Sequence, residues 1–209
     1  MYYLKKNLLF TIFILSVVIL SFCKGASDSP LIDEPDSPPP QTDVWVNEYL
    51  KVSSDGQFIR DSKPYYGIGV NYFDAFYRLL RNDNTSYIEG LKTLSENNIP
   101  FIRFTLLGFW PRDMNKYLAN KQEFYRKLDR FIAEAEKNKI GLIPTFFWNY
   151  ATIPDVVGER VNQWENPDSK TLALMKQCTD EIVQRYKDKN IIWAWEFSNE
   201  NKYLCRSNG

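Results

Sequence analysis

The chain has 209 residues, of which 44% are hydrophobic and 16% aromatic, a composition typical of a packed globular protein and not of a disordered one. Lysine plus arginine and aspartate plus glutamate both number 26, so no basic field is available to hold nucleic acid, and that class of partner is excluded. The sequence contains no histidine, which excludes Ser-His-Asp and Cys-His catalytic sites and histidine-ligated metals.

Residues 1–23 predict an export signal. Two lysines precede an apolar run over residues 8–22, which is shorter than the about 20 apolar residues of a membrane span and fits a secretory signal. The run ends at Cys23 and resembles the box of bacterial lipoproteins, in which the cysteine is lipidated. We expect an exported protein, anchored to the membrane as a cell-surface or periplasmic lipoprotein. Secretion after cleavage at Gly25, or an uncleaved anchor, are the alternatives.

Residues 24–43 are rich in proline, serine and aspartate and predict a disordered linker, because such a segment cannot bury apolar surface. Residues 44–63 contain two turn signals, at residues 54–56 and 60–64. They predict an N-terminal hairpin with Phe58 and Ile59 on its second strand, and such a hairpin can close the bottom of a barrel.

From residue 64 onwards the pattern alternates between strands and helices. Near-continuous apolar runs predict parallel strands over residues 66–71, 101–105, 141–147 and 191–195. Three helices are predicted between them. The first begins at a capping box of Ser86 and Glu89, the second at a cap of Asn120 and Glu123, and the third at Pro167. The order indicates an α/β protein with a parallel sheet, either a doubly wound open sheet or a barrel.

Two observations favour the TIM (β/α)8-barrel type. No glycine-rich phosphate loop follows the first strand, and long aromatic connections follow the strands over residues 72–77, 106–117 and 148–164. A barrel needs eight β/α units, whereas this sequence supplies four predicted strands. We therefore expect residues 64–209 to form the first half of a longer barrel enzyme, with an open four-stranded domain as the alternative.

Two glutamates near the fourth strand invite comparison with the carboxyl pair of glycosidases. Retaining enzymes hold these groups about 5–5.5 Å apart. Glu196 and Glu200 are separated by four strand residues, roughly 13 Å, which is too far for either mechanism. Glu200 therefore needs a partner from elsewhere, and Glu196 is expected to point into the barrel as a hydrogen-bonded structural residue.

Residues 194–200, with the sequence Ala-Trp-Glu-Phe-Ser-Asn-Glu, resemble the strand-four motif of glycoside hydrolase family 5 and its wider clan of cellulases and β-mannanases. The resemblance covers roughly residues 44–205. It implies that Glu200 is the catalytic acid/base, that Asn199 contacts the sugar 2-hydroxyl, and that Arg103 lies near the nucleophile as a substrate-binding residue. An ion pair that only stabilises the barrel is the alternative for Arg103. The family's nucleophile is a glutamate on a seventh strand, beyond the four predicted here. Many members also carry a histidine near these strands, so its absence leaves the subfamily open.

Aromatic and amide side chains at the ends of the predicted strands are the candidate sugar-binding groups. We expect Trp148, Trp110 and Asn71 to bind substrate, with Tyr150 and Trp164 as further candidates, although packing within the loops is the alternative for each aromatic ring.

No metal or cofactor is implied, and a monomer is expected. The predicted function is a retaining endo-glycosidase acting on a β-linked polysaccharide, mannan or glucan. A non-catalytic carbohydrate-binding protein and an inactive truncated fragment are the alternatives. Cys178 and Cys205 either pair or remain as thiols.

Overall fold

A computed structural model describes residues 50–199 of the chain. The predictions for the leader, the linker, residues 44–49, Cys23, Cys205 and Glu200 lie outside these residues. Within the described range, no helix is both long enough and apolar enough to cross a membrane. The range contains a small antiparallel sheet and a four-stranded parallel sheet with helices, so it is an α/β protein.

The antiparallel sheet comprises β1 (Lys51–Val52), β2 (Phe58–Arg60) and β3 (Lys63–Pro64), in that order. Asp61 and Ser62 both have positive φ values, 51° and 59°, and form the tight turn between β2 and β3. The guanidinium carbon of Arg60 lies 4.3 Å from the centre of the Trp193 ring. The hairpin therefore contacts the parallel sheet near the amino ends of its strands.

The parallel sheet comprises β4 (Val70–Asn71), β5 (Phe101–Thr105), β6 (Gly141–Phe147) and β7 (Glu196–Ser198), in sequential order. The bounds of β5 and β6 are those predicted from the sequence. The first predicted strand was wrong at its start, because β4 begins at residue 70, and the fourth was misplaced, because β7 lies wholly after the predicted residues 191–195. Gly141 begins β6 directly beneath Trp193, and a Cβ atom there would lie 2.2 Å from the indole ring.

A one-residue bulge explains the late start of β7. Leu142 pairs with Ile192 in an isolated bridge, whereas Thr145 pairs with Glu196. The step from 142 to 145 is three residues on β6, and the step from 192 to 196 is four on the partner segment. The extra residue interrupts the hydrogen-bonded ladder with β6. Because side chains alternate between the two faces of a sheet, it also moves every later side chain to the face opposite the one expected for a regular strand. Ile192 is buried against the helices, and Glu196 lies on the opposite face.

The described range contains six α-helices, three more than the sequence predicted. The three additional helices span Ala75–Asn82, Pro111–Ala119 and Thr152–Val157, and each overlaps a connection that was expected to be a loop. A 3-10 helix also spans Val161–Glu165. The α-helices are α1 (Ala75–Asn82), α2 (Tyr87–Glu96), α3 (Pro111–Ala119), α4 (Lys121–Lys137), α5 (Thr152–Val157) and α6 (Lys170–Tyr186).

The predicted helix starts had three different outcomes. Asn120 caps α4, and its side chain accepts a hydrogen bond from the backbone N–H of Glu123 at 3.0 Å. Ser86 precedes the first residue of α2, as predicted, but the capping box is wrong, because its side chain caps no backbone N–H and its Oγ accepts a hydrogen bond from Arg78 instead. The start at Pro167 was also wrong. Ser169 caps α6, and its Oγ accepts a hydrogen bond from the backbone N–H of Leu172 at 3.0 Å.

The hydrophobic core lies between one face of the parallel sheet and the helices. Alternate residues of β5 and β6 point into it, and the apolar stripe predicted for α4 is buried against them. The buried residues of these three elements include Ile102, Phe104, Leu142, Phe146, Phe124, Leu128, Phe131, Ile132 and Ala135. The other face of the sheet carries the polar residues described next.

Candidate active site

Five polar side chains share the sheet face that points away from the helices. In the strand register, Asn71 pairs with Arg103, and Thr145 pairs with Glu196. Thr145 also pairs with Thr105, which lies two residues beyond Arg103 on the same face of β5. The sheet therefore brings together residues that are far apart in sequence, near the carboxyl ends of its strands.

Arg103 is the centre of this polar cluster. Its Nε donates a hydrogen bond to Oε2 of Glu196 at 2.5 Å, and its Nη2 donates to Oδ1 of Asn199 at 2.9 Å. Its Nη1 is 3.4 Å from Oδ1 of Asn71, a longer contact. Each nitrogen of the guanidinium thus points towards a different acceptor. This arrangement uses the planar fork that distinguishes arginine from lysine.

Glu196 is held from two sides. Besides the Arg103 guanidinium, the hydroxyl of Thr145 donates a hydrogen bond to Oε2 of the same carboxylate. Thr145 is fully buried, whereas the Glu196 side chain keeps 34% of its surface exposed and Arg103 keeps 23%. Glu196 therefore lies on the sheet face as a hydrogen-bonded residue, as expected from the sequence.

Asn199 connects this cluster to the predicted acid/base. Its backbone N–H donates to the carbonyl of Phe147 at 3.2 Å, which extends the contact between β7 and the end of β6. Its side chain accepts the hydrogen bond from Arg103. Glu200 is the next residue in the chain and lies outside the described range, so its role as acid/base stays a prediction.

Three aromatic rings form a triangle beside the polar cluster. Phe73 follows β4, Phe109 follows β5 and Trp148 follows β6, so three successive strand-to-helix connections each supply one ring. The ring centroids are 5.8 Å apart for Phe73 and Phe109 and 5.6 Å apart for the other two pairs. Phe73 is 43% exposed, so the triangle presents an apolar surface to solvent next to a set of amide and guanidinium groups.

The other aromatic candidates have different surroundings. Trp110 precedes α3, where its backbone N–H donates to the carboxylate of Asp113, and its ring is half exposed. Trp164 donates from Nε1 to the backbone carbonyl of Tyr150 at 2.8 Å, and its ring contacts Phe147 and Phe197. Trp164 therefore bonds to its own connection and packs against β6 and β7, whereas Trp148 belongs to the triangle.

Phe73, Phe109 and Thr145 were not predicted as members of the site. The two phenylalanines lie in connections that the sequence marked only as aromatic. Thr145 is a polar residue inside the apolar run 141–147, which was a signal in the sequence that could have identified it. Phe73 and Phe109 could be selected from their loops only after the strand register had placed the two loops side by side.

The described residues offer no other obvious reactive centre. Within residues 50–199, no group of three or more histidine, cysteine, aspartate or glutamate side chains is arranged to hold a metal ion. Cys178 is a buried thiol on α6, and burial raises its pKa to about 12, so it is not suited to act as a nucleophile. The polar cluster with its aromatic triangle is therefore the candidate site.

A scan of the sequence against protein-family models found no match. A search of curated proteins likewise found no significant relative.

Proposed function

We propose that this chain carries the acid/base half of a retaining endo-glycosidase that acts on a β-linked polysaccharide, mannan or glucan. The observation that carries the proposal is the position of Asn199, which accepts a hydrogen bond from Arg103 at the carboxyl ends of the strands, beside a partly exposed aromatic triangle. Amide groups next to an aromatic surface suit a sugar ring, which has polar edges and apolar faces.

The strand order supports a (β/α)8 barrel as the scaffold. In a doubly wound sheet the strand order reverses, with helices on both faces, whereas here the order is sequential and the core lies on one face of the sheet. A sheet wound in one direction curls towards closure and surrounds its polar face. In barrels of this kind the active site lies at the carboxyl ends of the strands, which is where Arg103 and Asn199 meet.

In the proposed mechanism Glu200 protonates the leaving oxygen and then activates the water that releases the sugar. Asn199 binds the 2-hydroxyl, and Arg103 holds the Asn199 amide in place. A second carboxylate acts as the nucleophile. Glu196 is not proposed for this role, because Arg103 and Thr145 already bind its carboxylate.

The first test is to read the gene beyond codon 209. An open frame that encodes further β/α units and a glutamate at the end of a seventh strand supports the proposal. A stop codon there contradicts catalysis by this polypeptide. The expressed product is then assayed on mannan, glucan and xylan. Glu200→Gln should lower hydrolysis by a factor of about 100 to 10,000 with an unchanged unfolding midpoint, and near-normal activity would refute the acid/base role.

A non-catalytic carbohydrate-binding protein is the second candidate. It is favoured by the state of Glu196, because this carboxylate is engaged by two donors while the aromatic triangle and Asn199 still offer a recognition surface. The two functions separate in one experiment. Binding of mannohexaose or cellohexaose without release of shorter sugars, in wild type and Glu200→Gln alike, supports the binding protein. Hydrolysis that depends on Glu200 supports the enzyme.

We further propose export to the cell surface or periplasm with a lipid anchor on Cys23, which would hold the enzyme near polymeric substrate. Metabolic labelling with a radioactive fatty acid tests this. The wild-type chain should be labelled and Cys23→Ala should not. Label retained in the variant would refute the anchor, and an unlabelled wild-type chain in the medium would support secretion instead.

A further inference from the structure

We propose that Glu196 is a specificity-determining residue, and that its carboxylate restricts the site to uncharged sugars by occupying the guanidinium of Arg103. The inference rests on the proposed function, since it defines which β-linked polysaccharides the site accepts. It concerns a carboxylate that the proposed mechanism does not use.

An arginine at the centre of a sugar site is by itself a receptor for carboxylates. Its planar fork matches a carboxylate in two parallel hydrogen bonds, and such charge-assisted pairs are among the stronger hydrogen bonds in proteins. Arg103 on its own would therefore favour uronic acids, whose C6 carboxylate is the main feature that distinguishes them from neutral hexoses.

Glu196 removes that preference from within the protein. Its Oε2 accepts from Nε of Arg103 at 2.5 Å, and Thr145 holds the same oxygen from a fully buried position. The remaining nitrogens of Arg103 point to the neutral amide oxygens of Asn199 and Asn71. A carboxylate on the sugar would have to displace an amide oxygen and approach Glu196, with a repulsion that a partly buried site screens poorly.

Arg103 and Glu196 carry opposite charges, and Asn71, Thr145 and Asn199 carry none, so the five-residue cluster is formally neutral. Sugar hydroxyls donate and accept hydrogen bonds without charge, and they suit the amides that face the triangle. A site that already contains a counter-ion for its arginine should reject anionic sugars and still bind neutral ones.

The bulge before β7 places the carboxylate where it can act in this way. In a regular ladder that continued the pairing of Ile192 with Leu142, Glu196 would lie four residues further along, share the facing of Ile192 and point at the helices. Bulges commonly redirect a side chain beside a functional site. The fold therefore departs from a regular strand at the point where it brings a negative charge to Arg103.

The test compares the wild-type chain with Glu196→Gln, a substitution of the same shape that keeps a hydrogen-bonding group for Arg103 and Thr145. Glu96→Gln, at the end of α2, is the control for loss of one negative charge. The first probe is sodium glucuronate against methyl glucoside. Binding is followed by calorimetry and by the ¹⁵N resonance of Arg103 Nε, which is identified by its absence in Arg103→Leu. The second probe is mannohexaose against a β-linked mannuronate hexamer.

Glu196→Gln should bind glucuronate at least on the order of tenfold more tightly than wild type. The Arg103 resonance should shift when glucuronate binds to this variant. High salt should abolish the difference in affinity, because it screens the charges. Glu96→Gln should match wild type. The same variant should also bind the mannuronate hexamer more tightly than wild type does, whereas its affinity for mannohexaose should not increase. Equal glucuronate affinity in wild type and a folded Glu196→Gln would overturn the inference, as would a gain that leaves the Arg103 resonance unmoved. A glucuronate gain without any binding of neutral hexamers would support the charge role of Glu196 and contradict the proposed function.

Discussion

The guanidinium of Arg103 lies over the ring of Trp148, with its central carbon 4.8 Å from the ring centroid. The same guanidinium donates to Glu196 and Asn199 in its own plane. Arg103 thus joins the polar cluster to the aromatic triangle, using its edge for hydrogen bonds and its face for the indole ring. The two parts of the candidate site should consequently respond together when this residue is changed.

Arg103→Lys tests that link, because lysine keeps the charge but has one nitrogen where arginine offers three. We expect the free energy of unfolding to fall by about 1–3 kcal/mol, since Asn199 and Asn71 lose their charged donor. Trp148 fluorescence should shift as the cation leaves its ring. Urea unfolding and fluorescence spectra provide the measurements. Arg112→Lys, on the exposed surface of α3, should change neither, and an equally stable Arg103→Lys protein would contradict the prediction.

Phe73→Ala tests the aromatic triangle as the sugar-stacking surface. Phe73 is 43% exposed and contacts both other rings, so its loss removes contact area and loosens Phe109 and Trp148. We expect the affinity for mannohexaose or cellohexaose, measured by calorimetry, to fall about tenfold. The matched control is Phe58→Ala, which removes a comparably exposed ring from β2 of the antiparallel sheet. An equal effect of both variants would count against a specific stacking site.

The sequence predicted the inner strands and the apolar stripe of α4 because these elements have strong, regular patterns. It misplaced β7 because the Ile-Ile-Trp-Ala-Trp run is apolar enough for a strand, whereas the bulge depends on pairing with β6. The helix within residues 75–82 was missed because its apolar residues lie in an aromatic segment without a recognisable cap. Arg103, Asn71 and Trp148 were identified as candidates from residue type and position, but their common contacts depend on strand register.

A partly exposed polar network between α3, α4 and α6 is expected to make stability depend on pH. The Glu181 carboxylate accepts hydrogen bonds from Lys121 at 2.6 and 2.7 Å and from the fully buried Tyr117 hydroxyl. Burial raises the pKa of Glu181, but the hydrogen bonds from Lys121, Tyr117 and Gln177 outweigh it and lower the pKa to about 2, from an ordinary value of 4.5. The ionised carboxylate is therefore favoured in the folded state.

A lowered carboxyl pKa contributes stability that is complete above pH 4.5 and is lost as the pH falls towards 2. Glu181→Gln removes this contribution, so the variant should be less stable than wild type at pH 6, and the difference should shrink as the pH falls to 2.5. Urea unfolding at the two pH values measures it. Glu89→Gln, at an exposed position of α2, should follow wild type at both. A stability difference that stays constant with pH would contradict the assignment.

Lys127→Met tests a buried cation that joins two helices. The Lys127 side chain is 9% exposed, and its Nζ lies 2.9 Å from Asp83 and within 3.4 Å of the last carbonyls of α1, at Leu79 and Leu80. Removing the ammonium takes a buried charged donor away from these groups, so we expect a loss of about 1–3 kcal/mol in thermal or urea unfolding. Its neighbour Arg126 pairs with Glu123 on the surface, and Arg126→Met should cost no more than about 0.5 kcal/mol. Similar losses in both variants would refute the special role of Lys127.

The outer edge of β4 has a practical consequence for handling the protein. Within residues 50–199, β4 pairs only with β5, and Tyr66 and Ile68 just before it are 87% and 85% exposed. A groove of about 640 Å³, lined in part by Val70 and Leu94, runs beside this edge. Strand edges flanked by exposed apolar side chains act as templates for intermolecular pairing. We therefore expect a preparation limited to the described residues to pair between copies at this edge, which a further strand would cover in the proposed barrel. A charged residue in place of Ile68 is the simplest way to keep it in solution long enough to measure sugar binding.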